Sequence, residues 1–203
     1  MIIEVIFDLE TKKFFDEIGS NDPSQLGVSV VSLYKRTLNN NLQEEEGEIM
    51  SFWENDFEKM WPHFLEANRI IGFNSKRFDV PALKPYAPNI FPKLPHFDIL
   101  EEVKKISGKR ASLDKIAKLT VGKAKTDNPA NATIYFQKGD NESLAKLKKY
   151  CEGDVLLTKE IYDFGLKNKF LKFKDFWNEE RTITVDFSYP TVKAKPFAQN
   201  SLF

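Results

Sequence analysis

The alternation of apolar and polar residues divides the chain into a strand-rich first third and a helical remainder. Three apolar runs come first, namely IIEVIF (2–7), LGVSVVSLY (26–34) and EIMSFW (48–53). Polar stretches join them, which predicts a three-stranded antiparallel meander. RIIGF (69–73) predicts a further buried strand, and the segment before it predicts a helix that starts or breaks near Pro62.

The residues after that strand favour helices. Asp98 predicts the capping-box-like start of a helix that runs to about Ile106, and Ser112 is predicted to cap another short helix. A long helix is predicted from about residue 144 to 166. Before it, residues 121–143 are polar and rich in turn-forming residues, which predicts a mobile loop.

This order of elements indicates a mixed α/β layer fold, with a mixed central sheet flanked by helices. A length of 203 residues suits one domain with a full hydrophobic core and a short appendage. We predict a main domain over residues 1–167 and a hairpin extension over 168–190, where alternation returns. An extended tail is predicted over 191–203.

Composition narrows the class of protein. With 41% hydrophobic residues and 18 Phe, the chain is expected to be globular. No apolar run approaches the roughly 18 residues of a membrane span, and the N-terminus lacks a signal-peptide pattern. We therefore expect a cytoplasmic protein without a membrane partner. The single cysteine, Cys151, excludes an intramolecular disulfide and a cysteine-rich zinc site.

The net charge is zero, but the charges are unevenly distributed. Residues 1–101 hold 10 Lys/Arg and 17 Asp/Glu, whereas residues 102–203 hold 20 and 13. An acidic site beside a basic flank suits a metal-dependent enzyme that acts on a polyanion. The alternative is that the Lys-rich helices only present solvated faces.

The stretch VIFDLET (5–11) carries two acids in an apolar run that reads as a buried strand. Side chains alternate across a strand, so Asp8 and Glu10 leave from the same face. Their repulsion and partial desolvation are unfavourable, which calls for a compensating basic partner, proton or metal ion.

Two further acids follow in contexts that each have an ordinary explanation. Asp79 comes after a buried strand, and it could be a plain helix N-cap. Asp154 lies one helical turn after Tyr150, and the pair could be a core-margin Tyr beside a solvated Asp. Taken together, four acids from a strand end, a helix start and a helix face could converge on Mg²⁺ or Mn²⁺.

The motifs FDLET, GFNSKRFD and YCEGD resemble, in order, the three motifs of the DEDD 3′–5′ exonucleases, whose fold is ribonuclease H-like. The Tyr150-to-Asp154 spacing resembles the tyrosine-bearing (DEDDy) branch. The other branch has a His where this chain has Lys149. The motifs are similar to proofreading domains of family B DNA polymerases and to small bacterial stand-alone or helicase-linked exonuclease domains. The resemblance spans residues 1–166.

The resemblance implies an activity and its residues. Hydrolysis of the terminal phosphodiester would release nucleoside monophosphates from single-stranded nucleic acid, with DNA preferred, in DNA repair or replication. Tyr150 would orient the attacking water. The residues implied to hold two Mg²⁺ or Mn²⁺ ions are Asp8, Glu10, Asp79 and Asp154. The residues implied to contact the terminal nucleotide are Leu9, Thr11, Asn74 and Phe78.

A basic run in the second half is the candidate path for the phosphates of the single strand. Its members are Lys104, Lys105, Lys109, Arg110, Lys115, Lys118, Lys123 and Lys125. The two histidines, His63 and His96, lack metal-ligand spacing and are expected to be structural.

The sequence QNSLF (199–203) matches four of the five positions in the bacterial sliding-clamp-binding pattern Gln-Leu-Ser/Asp-Leu-Phe. Leu202 and Phe203 would enter an apolar pocket, while Gln199 would fix the orientation through hydrogen bonds. The alternative is a hydrophobic tail that folds back on its own domain. A helicase is a further candidate partner.

Two other functions stay open. One is a 3′–5′ exoribonuclease resembling ribonuclease D, which would cleave RNA at least as fast as DNA. The other is a non-catalytic adaptor for nucleic acid or a clamp, against which the complete set of four acids argues.

Overall fold

A computed structural model describes residues 1–174, 177 and 179–189 of the chain. The strands of its main sheet are β1 Ile2–Thr11, β2 Val28–Leu38, β3 Glu44–Trp53, β4 Arg69–Gly72 and β5 His96–Asp98. The first three strands pair antiparallel, and β4 and β5 add in parallel, which gives the order β3-β2-β1-β4-β5. The predicted mixed α/β fold with its antiparallel meander is confirmed. β5 was not predicted, because three residues carry too short a pattern.

The central strand β1 separates two hydrophobic cores, because its side chains alternate between the faces of the sheet. Val5, Phe7 and Leu9 are buried in one core. Ile6 is buried in the other. Asp8 shares its face with Ile6, so the acidic end of β1 belongs to the second side of the sheet.

The helices are α1 Phe15–Ile18, α2 Trp61–Leu65, α3 Asp79–Leu83, α4 Ile99–Ser107, α5 Leu113–Thr120, α6 Pro129–Lys138 and α7 Asn141–Asn168. As predicted, the Asp98 side chain caps α4 and Ser112 caps α5. Pro62 lies in the first turn of α2, where the missing N–H costs nothing. The helices α4, α5 and α7 cover the Ile6 side of the sheet.

The prediction of a mobile loop over residues 121–143 is wrong, because this segment contains α6. The Asn128 side chain accepts the Ala130 N–H at the start, with Pro129 at the first helical position. Gly139 ends the helix with φ of 69°. Thr133 is buried against the rest of the domain, so α6 is an integral part of the fold.

The long helix α7 carries two buried stripes, as its sequence predicted. They contain Leu147, Cys151, Val155 and Thr158 on one and Tyr150, Asp154 and Ile161 on the next. The helix therefore brings a tyrosine and an acid against the sheet.

Beyond α7, β6 Phe170–Lys174 and β7 Glu180–Thr184 pair antiparallel as a separate hairpin that packs on α5. Phe187 is fully buried after this hairpin. Arg69 holds its carbonyl and that of Ser188 with hydrogen bonds of 2.7 and 2.8 Å.

The division into a main domain, a hairpin extension and a tail stays a prediction. The clamp-like residues Gln199, Leu202 and Phe203 lie outside the described residues. Within the described part of the chain, no helix combines the length and apolar character of a membrane span.

Candidate active site

The first two acids lie at the end of the central strand. On β1, Asp8 is paired opposite Ser32 and Glu10 opposite Val30. The register shifts directly after Glu10, so the strand ends just beyond the pair. Alternation thus places both carboxylates on the side of the sheet that α7 covers.

The third acid comes from α3. Asp79 is the first residue of this helix, and Phe78 occupies the N-cap position without a side-chain cap. The interpretation of Asp79 as an ordinary N-cap is therefore wrong. Its side chain is buried, with 4% exposure, and it lines the same cavity as Asp8.

A buried acid on β5 holds the loop that leads to Asp79. The Asp98 carboxylate accepts the N–H groups of Asn74 at 2.8 Å and Lys76 at 3.1 Å. Asn74 has φ of 64°, in the left-handed region that Asn tolerates better than most residues. Asp98 thereby fixes both Asn74 and the start of α3.

The fourth acid and the tyrosine come from α7, where they contact a lysine. Lys125 Nζ donates to the Tyr150 hydroxyl at 3.0 Å and pairs with the Asp154 carboxylate. Asp114 accepts the backbone N–H of Lys125 at 3.0 Å and so anchors the segment before α6. The helix spacing of four residues puts Tyr150 and Asp154 within reach of one ammonium group.

These groups share one cavity of about 420 Å³. The ionisable side chains that line it include Asp8, Glu10, Asp79, Lys125, Tyr150 and Asp154. The predicted nucleotide contacts Leu9, Thr11, Asn74 and Phe78 line it as well. The Leu9 side chain packs mainly in the core, which leaves its backbone as the part nearest a ligand. The structure thus brings together every residue that the sequence assigned to catalysis and to the terminal nucleotide.

The crowded acids disfavour their own ionisation. Burial raises the pKa of Asp8 well above its usual range, and the carboxylates of Asp79 and Asp154 add to the rise. Burial raises the pKa of Asp79 to about 7, against opposing backbone hydrogen bonds. The pKa values of Glu10 and Asp154 are also raised, first by burial. The Lys125 ammonium opposes these shifts by favouring the carboxylates.

The lysine and the tyrosine both stay protonated near neutral pH. Burial alone would lower the pKa of Lys125, but the carboxylates of Asp154 and Asp8 raise it above its usual value. Burial raises the pKa of the Tyr150 phenol, and the Asp154 carboxylate adds to that rise. Lys13 also lines the cavity, so four acidic groups are matched there by two lysines.

The donor set fits a hard divalent cation. Carboxylate oxygens are the ligands that Mg²⁺ and Mn²⁺ prefer. Ligand atoms of Asp8, Glu10 and Cys151 lie within 4.8 Å of one another. Burial raises the pKa of the Cys151 thiol, which therefore stays protonated and is a poor ligand for such ions. The carboxylates are the groups that could hold metal.

Sequence reasoning missed some residues of this cavity. Lys125 was placed on the phosphate path, whereas its ammonium lies among the acids. Phe15 on α1 and Thr133 on α6 also line the cavity, and the rings of Phe15 and Phe78 meet edge to face at 6.1 Å. None of these residues belongs to a motif or a long periodic element, so no local pattern marked them.

Part of the proposed basic path is paired with acidic neighbours. Lys105 pairs with Glu102, Lys118 with Asp114 and Lys123 with Glu160. In contrast, Lys109 contacts an aromatic ring and Arg110 contacts an amide oxygen. Neither histidine lines the acidic cavity: His96 packs against the rings of Phe7 and Phe91, and His63 lies beside the ring of Phe52.

Comparisons with known proteins place the chain in a family. A family B DNA polymerase from the hyperthermophilic archaeon Pyrobaculum calidifontis has a similar structure, with a TM-score of 0.58 and 18% sequence identity. The match covers 82% of this chain and 25% of the polymerase, so this chain corresponds to about a quarter of that protein. No curated protein sequence matches it. The family model of the RNase_H superfamily matches residues 5–164, and the chain belongs to the RNase_H superfamily.

Proposed function

We propose that this protein is a metal-dependent 3′–5′ exonuclease that removes nucleoside monophosphates from single-stranded nucleic acid, with DNA preferred. The observation that carries the proposal is the convergence of four carboxylates and a tyrosine on one cavity. Membership of the RNase_H superfamily supports a nuclease. The resemblance of the three motifs to polymerase proofreading domains supports DNA and the 3′ direction.

Asp8, Glu10, Asp79 and Asp154 are the residues that would hold two Mg²⁺ or Mn²⁺ ions. When bound, such ions lower the pKa of water and stabilise the negative charge that develops on the phosphodiester. The carboxylates of this chain supply the pre-formed anionic site. Burial raises the pKa of Asp8 and of Asp79, so a cation bound beside them would stabilise their ionised forms.

Tyr150 orients the attacking water in this proposal. Its pKa is raised by burial, so the phenol keeps its proton and acts through a hydrogen bond rather than as a phenolate. Lys125 donates to the phenol oxygen at 3.0 Å and so fixes the direction in which the Tyr150 O–H points. Lys125 also adds positive charge beside the cavity, where a scissile phosphate would lie.

The terminal nucleotide occupies the part of the cavity between β1 and α3. Asn74 is held there by Asp98, with its side-chain oxygen facing Arg110. Phe78 and Phe15 provide aromatic edges for a base or sugar. Arg110 and Lys109, which lie near Asn74, would contact the phosphates on the 5′ side of the terminal nucleotide.

The test is a time course on 5′-labelled single-stranded DNA and RNA of matched sequence, with Mg²⁺, Mn²⁺ or EDTA. A ladder that shortens from the 3′ end only with metal is expected. Asp8→Ala should abolish cleavage, and Tyr150→Phe should lower the rate by at least on the order of tenfold, since water positioning is lost. Circular dichroism of both variants checks that they are folded.

The outcomes separate the candidate functions. Faster cleavage of DNA supports the proposal, and cleavage of RNA at least as fast would favour the exoribonuclease. Metal binding without cleavage of either substrate would favour the adaptor. A wild-type rate in Tyr150→Phe would remove that residue from the mechanism.

We also propose, from sequence alone, that Gln199, Leu202 and Phe203 bind a bacterial sliding clamp, which would raise the local concentration of the enzyme at DNA. Deletion of residues 199–203 should abolish affinity for the clamp and leave cleavage of short oligonucleotides unchanged. Clamp affinity that survives the deletion, measured by surface plasmon resonance, would discard this partner.

A further inference from the structure

An exposed tryptophan lies on the hairpin that follows the superfamily match. Trp177 stands between β6 and β7 and exposes 71% of its surface. The match to the superfamily model ends at residue 164, so this hairpin lies outside the matched region. Tryptophan is enriched at interaction surfaces, where the indole ring offers a large apolar face and an N–H donor.

Trp177 has a cationic neighbour from the main domain. Lys109 Nζ lies 5.1 Å from the centre of the Trp177 ring. Lys109 belongs to the turn between α4 and α5, which starts at Gly108 with φ of 68°. The hairpin and this turn therefore present an aromatic face and a positive charge side by side.

The same turn leads directly to the candidate active site. Arg110, the next residue, donates from Nη2 to the Asn74 side-chain oxygen at 2.7 Å. Arg110 and Asn74 both line a second cavity, of about 810 Å³. Asn74 and Lys125 line this cavity and the acidic one, so the two cavities adjoin at these residues. A strand whose 3′ end lies among the acids can leave along this route towards Trp177.

We propose that Trp177 and Lys109 form a stacking platform for the single-stranded nucleic acid on the 5′ side of the cleaved nucleotide. A base stacks on the indole face, while Lys109 and Arg110 contact adjacent phosphates. The platform rests on the proposed exonuclease function and extends it with a specific binding site for the substrate strand. Stacking accepts any base, as an exonuclease without sequence preference requires.

The charge pattern favours a polyanion as the occupant. Lys105, Lys118 and Lys123 are paired with carboxylates. Within the described part of the chain, Lys109 contacts an indole ring and Arg110 an amide oxygen, and neither partner is a carboxylate. Alternating aromatic and cationic groups beside a groove are typical of single-strand binding surfaces.

The experiment measures affinity for single-stranded DNA as a function of length, from a dinucleotide to a dodecanucleotide, with Ca²⁺ in place of Mg²⁺. Wild-type affinity should rise when the strand becomes long enough to reach Trp177. Trp177→Ala should lose on the order of tenfold affinity for the longest strand. Trp177→Phe should retain most of it, because a phenyl ring still stacks.

Two further readouts separate stacking from a structural role. Trp177 is one of three tryptophans. Binding should quench its fluorescence, and the quenching should shrink in Trp177→Phe although the strand still binds. Lys109→Gln should lower the slope of log affinity against log salt by about 0.7, the value for one phosphate contact. Leu156→Ala, an exposed apolar residue on α7, is the control and should bind like wild type.

The outcomes also distinguish the platform from the proposed function. Hydrolysis by wild-type protein is checked in parallel with Mg²⁺ on a nucleotide phosphodiester too small to reach the hairpin. If this ester is cleaved and Trp177→Ala binds the dodecanucleotide as tightly as wild type, the platform alone is refuted. If wild-type protein neither cleaves the ester nor binds the strand, the exonuclease proposal fails and the platform fails with it.

Discussion

At the scale of single residues, the domain contains two kinds of buried acid. Asp98 accepts backbone N–H groups from the β4–α3 loop and from the start of α4, including Leu100. Fixed donors of this kind satisfy a carboxylate permanently. Asp8 instead faces other carboxylates, and Lys125 is the cation that compensates them. Asp98 is thus structural, whereas the cavity acids form a site that gains stability from an added cation.

The sequence predicted those parts of the site whose positions follow from the regular spacing of side chains along a strand or a helix. Strand alternation put Asp8 and Glu10 on one face, and helix spacing joined Tyr150 to Asp154, because these relations need only local geometry. The place of Lys125 could not be predicted, because it comes from a non-periodic connection. Its contact with Asp154 joins residues that are 29 positions apart.

At the scale of elements, α6 shows where composition misled. Its residues are polar enough to read as a loop, and its apolar periodicity is weak. The local signals were nevertheless present, with Asn128 and Pro129 at the start and Gly139 at the end. Capping residues were therefore better indicators of this helix than hydrophobicity. The helix matters for function, since Pro129 and Thr133 form a wall of the acidic cavity.

Two glycines of α7 allow the effect of the same substitution on stability to be compared at two positions of one helix. A methyl group at Gly153 would lie 3.6 Å from the nearest atom, an ordinary contact with Thr126. Gly153→Ala should therefore raise the free energy of unfolding by about 1 kcal/mol, the gain in helix propensity. A methyl group at Gly165 would come within 2.3 Å of the Phe187 ring. Gly165→Ala should lower stability by roughly 1–3 kcal/mol through overpacking.

The two substitutions are expected to change stability in opposite directions because the surroundings of the two glycines differ. Phe187 cannot move aside easily, because it stacks on Tyr162 at 5.7 Å and meets Phe97 edge to face at 5.0 Å. Urea unfolding of both variants, with EDTA present, measures the difference. Equal stabilisation by both substitutions would show that residue 187 does not pack against α7 as described.

At the scale of the whole molecule, the two ends of β1 carry buried acids in different environments. Near its start, the buried Glu4 is held by Arg36 at 2.7 Å and by the Tyr162 hydroxyl at 2.8 Å. Near its other end, burial raises the pKa of Asp8 and of Glu10, and the carboxylates of Asp79 and Asp154 add to both rises. The Tyr189 hydroxyl also donates to Glu4, so the ionic network at the start of β1 holds the segment that follows β7. The same strand carries the acids of the cavity at its other end.

The raised pKa values of the cavity acids predict how the stability of the metal-free protein depends on pH. The pKa of Asp79 is about 7 in the folded chain and 3.8 as its usual value. Between these values the folded state keeps a proton that the unfolded state has lost. Stability is therefore fully present below about pH 4 and falls as pH rises, by about 1.4 kcal/mol per pH unit from this group, until the loss is complete near pH 7.

Chemical unfolding in EDTA at a series of pH values measures this effect, with Asp79→Asn as the matched control. The Asn side chain has a similar shape and cannot ionise, so the variant should lose this part of the pH dependence and be the more stable protein near pH 8. Carboxylates outside the cavity titrate alike in both proteins and cancel in the difference, whereas Asp8 in the variant also loses the rise in pKa that the Asp79 carboxylate adds. Mg²⁺ requires the deprotonated carboxylates, so its addition should restore stability to wild type at pH 8 and help Asp79→Asn much less. Parallel stability curves for the two proteins would mean that Asp79 ionises normally and that the acids do not form one interacting site.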